Sequence, residues 1–493
     1  MIVDQIPALQ VVLALLAAPL CLVLRRPRVA WLVALIVTWA SLAMALILLF
    51  STLKSGPISY LLGDWEAPWG IEYRIDMVNA FLLVIVTTIG SVVIPYAHVS
   101  VEAEVPAARV YLFYCMYLLN LAGLLGIVIT GDVFNLFVFL EISSLSSYVL
   151  ISLGKDRRAL TAAYRYLVMG TIGATFYVIG VGLMYMMTGT LNMVDLAVLM
   201  PAVIDTRTTH AALAFLTVGL SLKLALFPLH VWLPNAYTYA PSAVSAFLAA
   251  TGTKVAVYAL LRIVFTVFGE IDVLSFPGVQ EVLLTLAAAA MIGASATAIY
   301  QHNAKRVLAY SSLAQIGYMV VGIGMESATG LAGSIVHLFN HALMKGGLFM
   351  ALGCVFLRVG SVQLADMQGL AKRMPLTMAA FVAGGLSLIG VPLSVGFISK
   401  WYLVQGALEK GWWPAVVVIL VSSILAIIYI WRIVEVAYFR ERPKDSPAVR
   451  EAPASMLVPL WIMIGACYYF GIDATRTLDV AVGAAETLLG ALQ

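Results

Sequence analysis

Residues 131–152 read GDVFNLFVFLEISSLSSYVLIS. A run of this length dominated by Phe, Leu, Val and Ile suits a helix crossing a bilayer, at ~1.5 Å rise per residue through a hydrocarbon core ~30 Å thick. Glu141 stands near its middle. A charge at that depth costs roughly 2.5–3.5 kcal/mol on insertion scales, so it usually faces the protein interior and serves a function. The pattern recurs with opposite sign. Lys223 sits in LAFLTVGLSLKLALFPLHVW, Lys254 in SAVSAFLAATGTKVAVYALL, Lys345 in HLFNHALMKGGLFMALG and Lys400 in GGLSLIGVPLSVGFISKWYLV. A recurring set of such side chains reads as a route for charge through the membrane.

The rest of the chain agrees with a membrane setting. Of 493 residues, 62% are hydrophobic and only 11% charged, with a mean hydropathy of +1.00; soluble domains carry about 25% charged residues. Runs of this length imply helices rather than an outer-membrane barrel. A dispersed net charge of +3 gives no electrostatic footprint for nucleic acid. Cys21, Cys115, Cys354 and Cys467 lie in or beside apolar runs, without CxxC or metal-ligand spacing, and read as small hydrophobes. No dinucleotide fingerprint, P-loop or iron–sulfur pattern occurs, so no cofactor or metal is expected. The first apolar run precedes its basic cluster, Arg25-Arg26-Pro27-Arg28. That order opposes a cleavable signal peptide and suits a first transmembrane helix with its N-terminus outside.

Hydropathy predicts an all-α polytopic protein with fourteen spans, from residues 7–24 to 453–472. The seventh covers 210–230, the eighth 241–268, the eleventh 330–357 and the twelfth 375–403. Ser51–Ile75 and Thr188–Thr209 read as the two real loops. Loop charges test the count. With the N-terminus outside, sixteen Lys and Arg fall in inner loops, from Arg25 to Arg450 and including Lys305 and Lys444. Five fall outside: Lys54, Arg74, Arg207, Lys410 and Arg476. This is the asymmetry of the positive-inside rule, and it puts both termini outside. Pro228 in the seventh span and Pro392 in the twelfth each remove a backbone hydrogen bond inside an apolar stretch, so both helices should break or kink. Interrupted helices in two halves of a transporter point to its conduction region. The lysines beside them differ in register: Lys223 precedes its proline by five residues, and Lys400 follows its own by eight.

Each candidate has a plainer reading. Lys254 is too central to snorkel; Lys223 lies near a break where water or polar backbone can receive it. Both read as buried amines that load and release a proton. Glu141 is the natural counter-charge, and a Lys–Glu pair acts as a switch, because withdrawing the carboxylate expels the proton it helped to hold. His337, His341 and Lys345 are spaced i, i+4, i+8 and stripe one helix face. They fit a proton-carrying chain, a network of interhelical hydrogen bonds or, lacking a third ligand nearby, less well a metal or haem site. Lys400 is either part of the route or an interface anchor beside Trp401 and Tyr402. His230 lies at the broken end of the seventh span, on a possible access path. Asp132 should cap the fifth span, Arg165 and Arg262 should snorkel from helix ends, and Arg432 should pair with Glu435.

These stretches resemble the antiporter-like proton-pumping subunits, a family spanning respiratory complex I, membrane-bound hydrogenases and multisubunit Mrp-type Na+/H+ antiporters. The resemblance rests on Lys223 to Tyr237 (KLALFPLHVWLPNAY), followed by Ala240-Pro241-Ser242 and Lys254. It rests also on Asn303 to Ser312 (NAKRVLAYSS), followed by Gln315-Ile316-Gly317-Tyr318, and on His337 to Gly347. It covers about residues 70–440. It implies fourteen helices with two inverted five-helix repeats, broken at the seventh and twelfth. The chain then divides into helices 1–3 (1–107), a first repeat (108–268), a second repeat (279–438) and an inner loop with the last helix (439–493). By resemblance, Glu141 partners Lys223, Lys254 is the connecting residue, His337, His341 and Lys345 line the hydrophilic axis, and Lys400 holds the terminal position. The compact length, the 131–143 segment and Lys400 make the chain most similar to the Mrp-type D subunits.

The expectation is a proton-translocating subunit of a cation/proton antiporter complex in the bacterial inner membrane. It would work beside sister subunits and be coupled to Na+. A pump subunit of a redox-driven complex is the alternative. A stand-alone solute transporter, or a scaffold whose charges only fix helix packing, are further rivals.

Overall fold

The computed structural model describes residues 3–269, 271–443 and 448–490; Lys444, among the inner-loop cations, lies outside them. The described chain is a bundle of long helices with one antiparallel hairpin, Ile58–Leu61 against Glu72–Ile75, inside the first expected loop. Among the described residues, twelve helices are long and apolar enough to cross a membrane, from Ile6–Leu24 to Ala454–Ile472. The expected seventh span, 210–230, is helical only over Arg207–Leu224, and the short helix Leu233–Tyr239 follows beyond its end; the expected twelfth, 375–403, is helical in two pieces, Pro375–Ile389 and Val395–Glu409.

Loop polar residues start the helices. The Asp132 carboxylate accepts from the Asn135 amide at 2.6 Å, capping Val133–Ser152 as expected. Asp76 and Asn79 form a reciprocal capping box on Met77–Glu104, and Asn303 and Ser327 cap Ala304–Gly324 and Ala328–Val359. Each cap satisfies an amide with no partner inside its helix, worth about 1 kcal/mol.

The two breaks end differently. At the first, Ala225 turns left-handed (φ 62°) and the Leu226 amide donates to the Ser221 carbonyl at 2.9 Å. The Trp232 indole N–H returns across the break to the Leu222 carbonyl at 3.0 Å. At the second, Gly390 takes φ +95° and donates back to the Leu386 and Ser387 carbonyls. The carbonyls of Leu388 and Ile389 are left for a side chain, Lys400.

Packing is closest where side chains vanish. A Cβ on Gly219 would lie 2.7 Å from both the Gly173 carbonyl oxygen and the Tyr177 amide nitrogen, so the helices Arg158–Thr188 and Arg207–Leu224 meet backbone to backbone. Small residues allow this approach between membrane helices. Gly219→Ala forces them apart at about 1–3 kcal/mol; the expected result is less monodisperse protein in size-exclusion chromatography and a lower Tm.

Three sequence expectations need correction. Arg262 does not snorkel: it is 6% exposed and its Nη2 donates to Asp76 Oδ1 at 2.6 Å. Its Nε donates to Tyr258 Oη at 2.8 Å. Arg432 does not pair with Glu435; its Nη1 donates to the Gln301 carbonyl at 3.4 Å, while Arg440 takes Glu435 at 3.1 Å. Lys305, counted as a loop charge, is buried on the first turn of Ala304–Gly324 and donates to the Ala240 carbonyl at 3.2 Å. A further amphipathic helix, Thr475–Gly490, follows the last span and had no clear signal in hydropathy.

Candidate functional site

Lys223 occupies the last turn before the first break. Its ammonium donates to Glu141 Oε1 at 3.2 Å and to Ser144 Oγ at 2.7 Å. The Lys223 side chain is 4% exposed and that of Glu141 26%. Burial makes this contact strong, and it keeps both charges viable away from water. The expected counter-charge therefore lies against the expected amine, with a serine one helical turn along as second acceptor.

Lys254 is fully buried in the middle of Ser242–Arg262. Its ammonium bonds back to the Ala249 carbonyl, and to Thr253 Oγ1 at 3.3 Å. Between Lys223 and this helix lies a cavity of about 30 Å³, with Asn120, Ser144, Lys223, Tyr237 and Thr253 in its walls. That volume holds one or two water molecules.

The eleventh span packs against the eighth and buries His337, His341 and Lys345 completely. Lys345 donates to the Leu308 carbonyl at 2.8 Å and to the Ser311 hydroxyl. The His337 and His341 rings are parallel, 5.8 Å apart. His337 Nδ1 bonds Ser399 Oγ at 2.7 Å, whereas its Nε2 and both His341 nitrogens are buried without a protein partner. Buried polar atoms of this kind usually find a partner in protein or ordered water. Lys254 lies within Coulombic reach of His337, His341 and Lys345. Among the described residues no group of three or more His, Cys, Asp or Glu can hold a metal ion.

Lys400 ends the series. Its ammonium donates to the Leu388 and Ile389 carbonyls at 3.1 and 2.7 Å and to Ser423 Oγ at 3.1 Å, and lies 5.0 Å from the Tyr318 ring centroid. A helix C-terminus and an aromatic face take the place that Glu141 has beside Lys223. Lys400 is 7% exposed, so it is not an aromatic-belt anchor. His230 sits half-buried in the first break, stacked on Phe227 at 5.2 Å.

The serines and Asn120 were not singled out from sequence, because a hydroxyl in a membrane helix usually bonds its own backbone, as Ser143, Ser146 and Ser147 do. The usable signal was their density: four serines in five positions, 143–147, beside Glu141.

Relatives share this architecture. The N subunit of NADH-quinone oxidoreductase from Desulforudis audaxviator is 47% identical over 437 residues, 86% of each chain. The D-type subunit of the Na(+)/H(+) antiporter from Alkalihalophilus pseudofirmus is 31% identical over 87% of this chain and 85% of its own. A chain in the structure of the Mrp complex from Dietzia superposes with a TM-score of 0.91 at 25% identity, covering 100% of both. Residues 130–426, more than half the chain and including Glu141, the four candidate lysines and the candidate histidines, match the NADH:quinone oxidoreductase/Mrp antiporter transmembrane family; the protein is a polytopic membrane protein that belongs to it.

Proposed function

We propose that the chain is a proton-translocating subunit of a multisubunit monovalent cation (Na+)/H+ antiporter in the bacterial plasma membrane, with both termini on the outer side. Protons pass along Glu141, Lys223, Lys254, His337, His341, Lys345 and Lys400. The observation that carries the reading is that Lys223, Lys254, Lys345 and Lys400 are all buried and each bonded to a hydroxyl, and that among the described residues only Lys223 of these four is bonded to a carboxylate. A scaffold needs charges neutralised in pairs; a relay needs amines that can exist with and without their proton. Two broken helices, each fourth in its set of five spans, support inverted repeats over 108–268 and 279–438.

Partner subunits follow from what the chain leaves bare. Val391 and Leu393, in the second break, are 37% and 65% exposed. Glu141 is a quarter exposed on a helix whose neighbouring Val138 and Leu145 face outward. Irregular backbone and carboxylates do not face lipid, so sister subunits cover both faces.

The 31% identity to an antiporter D-type subunit supports a cation gradient as the driving force. A redox-driven complex is the second reading, favoured by the 47% identity to an oxidoreductase subunit. The deciding experiment is ΔpH dequenching in inverted vesicles carrying the whole operon in an antiporter-deficient host. Na+-dependent dequenching that disappears in Lys223→Ala, with the complex assembled, supports antiport. Proton pumping that needs a redox donor and ignores Na+ moves the chain to the respiratory branch. Normal flux in assembled Lys223→Ala rejects the relay under either reading.

A further inference from the structure

We propose that the proton crosses between Lys223 and Lys254 over two hydroxyls and a bridging water, from Ser144 to Thr253, with Asn120 Oδ1 anchoring the water; the proposal rests on the relay above. Lys223 Nζ lies closer to Ser144 Oγ, at 2.7 Å, than to Glu141 Oε1, at 3.2 Å. Ser143, Ser146 and Ser147 donate to carbonyls of their own helix at 3.0, 2.6 and 2.7 Å. Ser144 makes no such bond among the described residues; beside Lys223 its hydroxyl has the Tyr148 phenol as a side-chain partner, and it can turn from that ring toward the cavity.

Asn120 is oriented by chemistry. Its Nδ2 donates to the Ser143 carbonyl at 2.6 Å, which can only accept, and to Ser147 Oγ at 2.7 Å. Oδ1 therefore faces away, and it is buried with no hydrogen-bond partner. A buried amide oxygen left bare costs about 1–3 kcal/mol. The adjoining cavity of about 30 Å³ has Asn120, Ser144, Lys223 and Thr253 in its walls, enough polar partners to hold water. Tyr166 and Trp232, stacked at 3.8 Å, also line it. The indole N–H is committed to the Leu222 carbonyl and offers no side route.

The transfer balances without electron exchange. Lys223 gives a proton to Ser144 Oγ as that hydroxyl gives its own to the water. The water passes one to Thr253 Oγ1, and Thr253 delivers its original proton to the neutral Lys254 amine. Each oxygen ends with the number of protons it began with; Lys223 has lost one and Lys254 has gained one. The Thr253 hydroxyl is the link at this end because it lines the cavity and contacts the Lys254 amine, whereas the other contact of that amine, the Ala249 carbonyl, can only accept. It holds the ammonium form of Lys254 but cannot hand a proton to the amine.

The test measures proton flux through the whole complex in inverted vesicles for Ser144→Ala, Ser144→Thr, Thr253→Val and Thr253→Ser, beside Lys223→Ala. Ser144→Ala and Thr253→Val should each slow flux by at least about a hundredfold, the low end of what a positioned proton-transfer group supplies. Ser144→Thr and Thr253→Ser, which keep the hydroxyl, should restore most of it. A dead Lys223→Ala with Ser144→Ala and Thr253→Val as fast as wild type overturns the hydroxyl bridge and leaves the relay standing. Losses that the conservative swaps do not rescue also overturn it, since they mark a packing role. Should Ser144→Ala fail to assemble, the Thr253 pair decides alone. Normal flux in Lys223→Ala overturns the relay itself.

Discussion

Lys254→Ala should yield an assembled complex whose proton flux is at least about a hundredfold below wild type, and Lys254→Met should match it. Lys254 is 0% exposed, halfway along its helix, and its ammonium is held by the Ala249 carbonyl and Thr253 rather than by a carboxylate. Removing the charge therefore strands no opposite charge, and methionine fills most of the volume that alanine leaves empty. The pair of variants separates proton carriage from packing. ΔpH dequenching in inverted vesicles reads flux and native gel electrophoresis reads assembly. Flux near wild type in either assembled variant would sink the relay. Lost assembly in Lys254→Ala with full flux in Lys254→Met would assign the residue to packing.

Lys254 was legible in the sequence because a charge in the middle of an apolar run is costly and has few explanations. Glu141 and Lys223 were legible as a pair by sign alone, and the broken helices by Pro228 and Pro392. The partners of those charges were not. Nothing local distinguishes Ser144, which holds Lys223, from Ser143, which bonds its own helix; only tertiary packing decides. The Lys400 environment was hidden because its acceptors are backbone carbonyls freed by the bend at Gly390, and backbone carries no residue label. Arg262 misled for a related reason. A helix-end arginine usually reaches water, and its partner stands 186 residues away.

That partner gives the second large effect. Asp76 caps Met77–Glu104 and lies just outside it, with Arg262 at 2.6 Å and backbone amides of Val78 and Asn79 at 3.0 and 3.2 Å. Burial alone would push its carboxyl up. The Arg262 charge and these hydrogen bonds outweigh burial and hold it below the usual carboxylate range. Its contribution to stability is therefore fully present above the unfolded-state value of ~3.9 and is lost as pH falls through the lower folded value. Arg262→Met leaves the carboxylate buried without its cation, at a cost of about 3–5 kcal/mol. It also reverses the sign, since burial then dominates and protonation relieves the strain. Wild-type Tm should stay level from pH 7 to 5 and fall in stronger acid. Arg262→Met should start several degrees lower and recover part of the deficit as pH drops over the same interval. Asp76→Asn in the Arg262→Met background should recover stability at pH 7 and lose that slope. Differential scanning fluorimetry in nanodiscs measures all three, and parallel pH curves for wild type and Arg262→Met would show that the pair carries no charge-dependent stability.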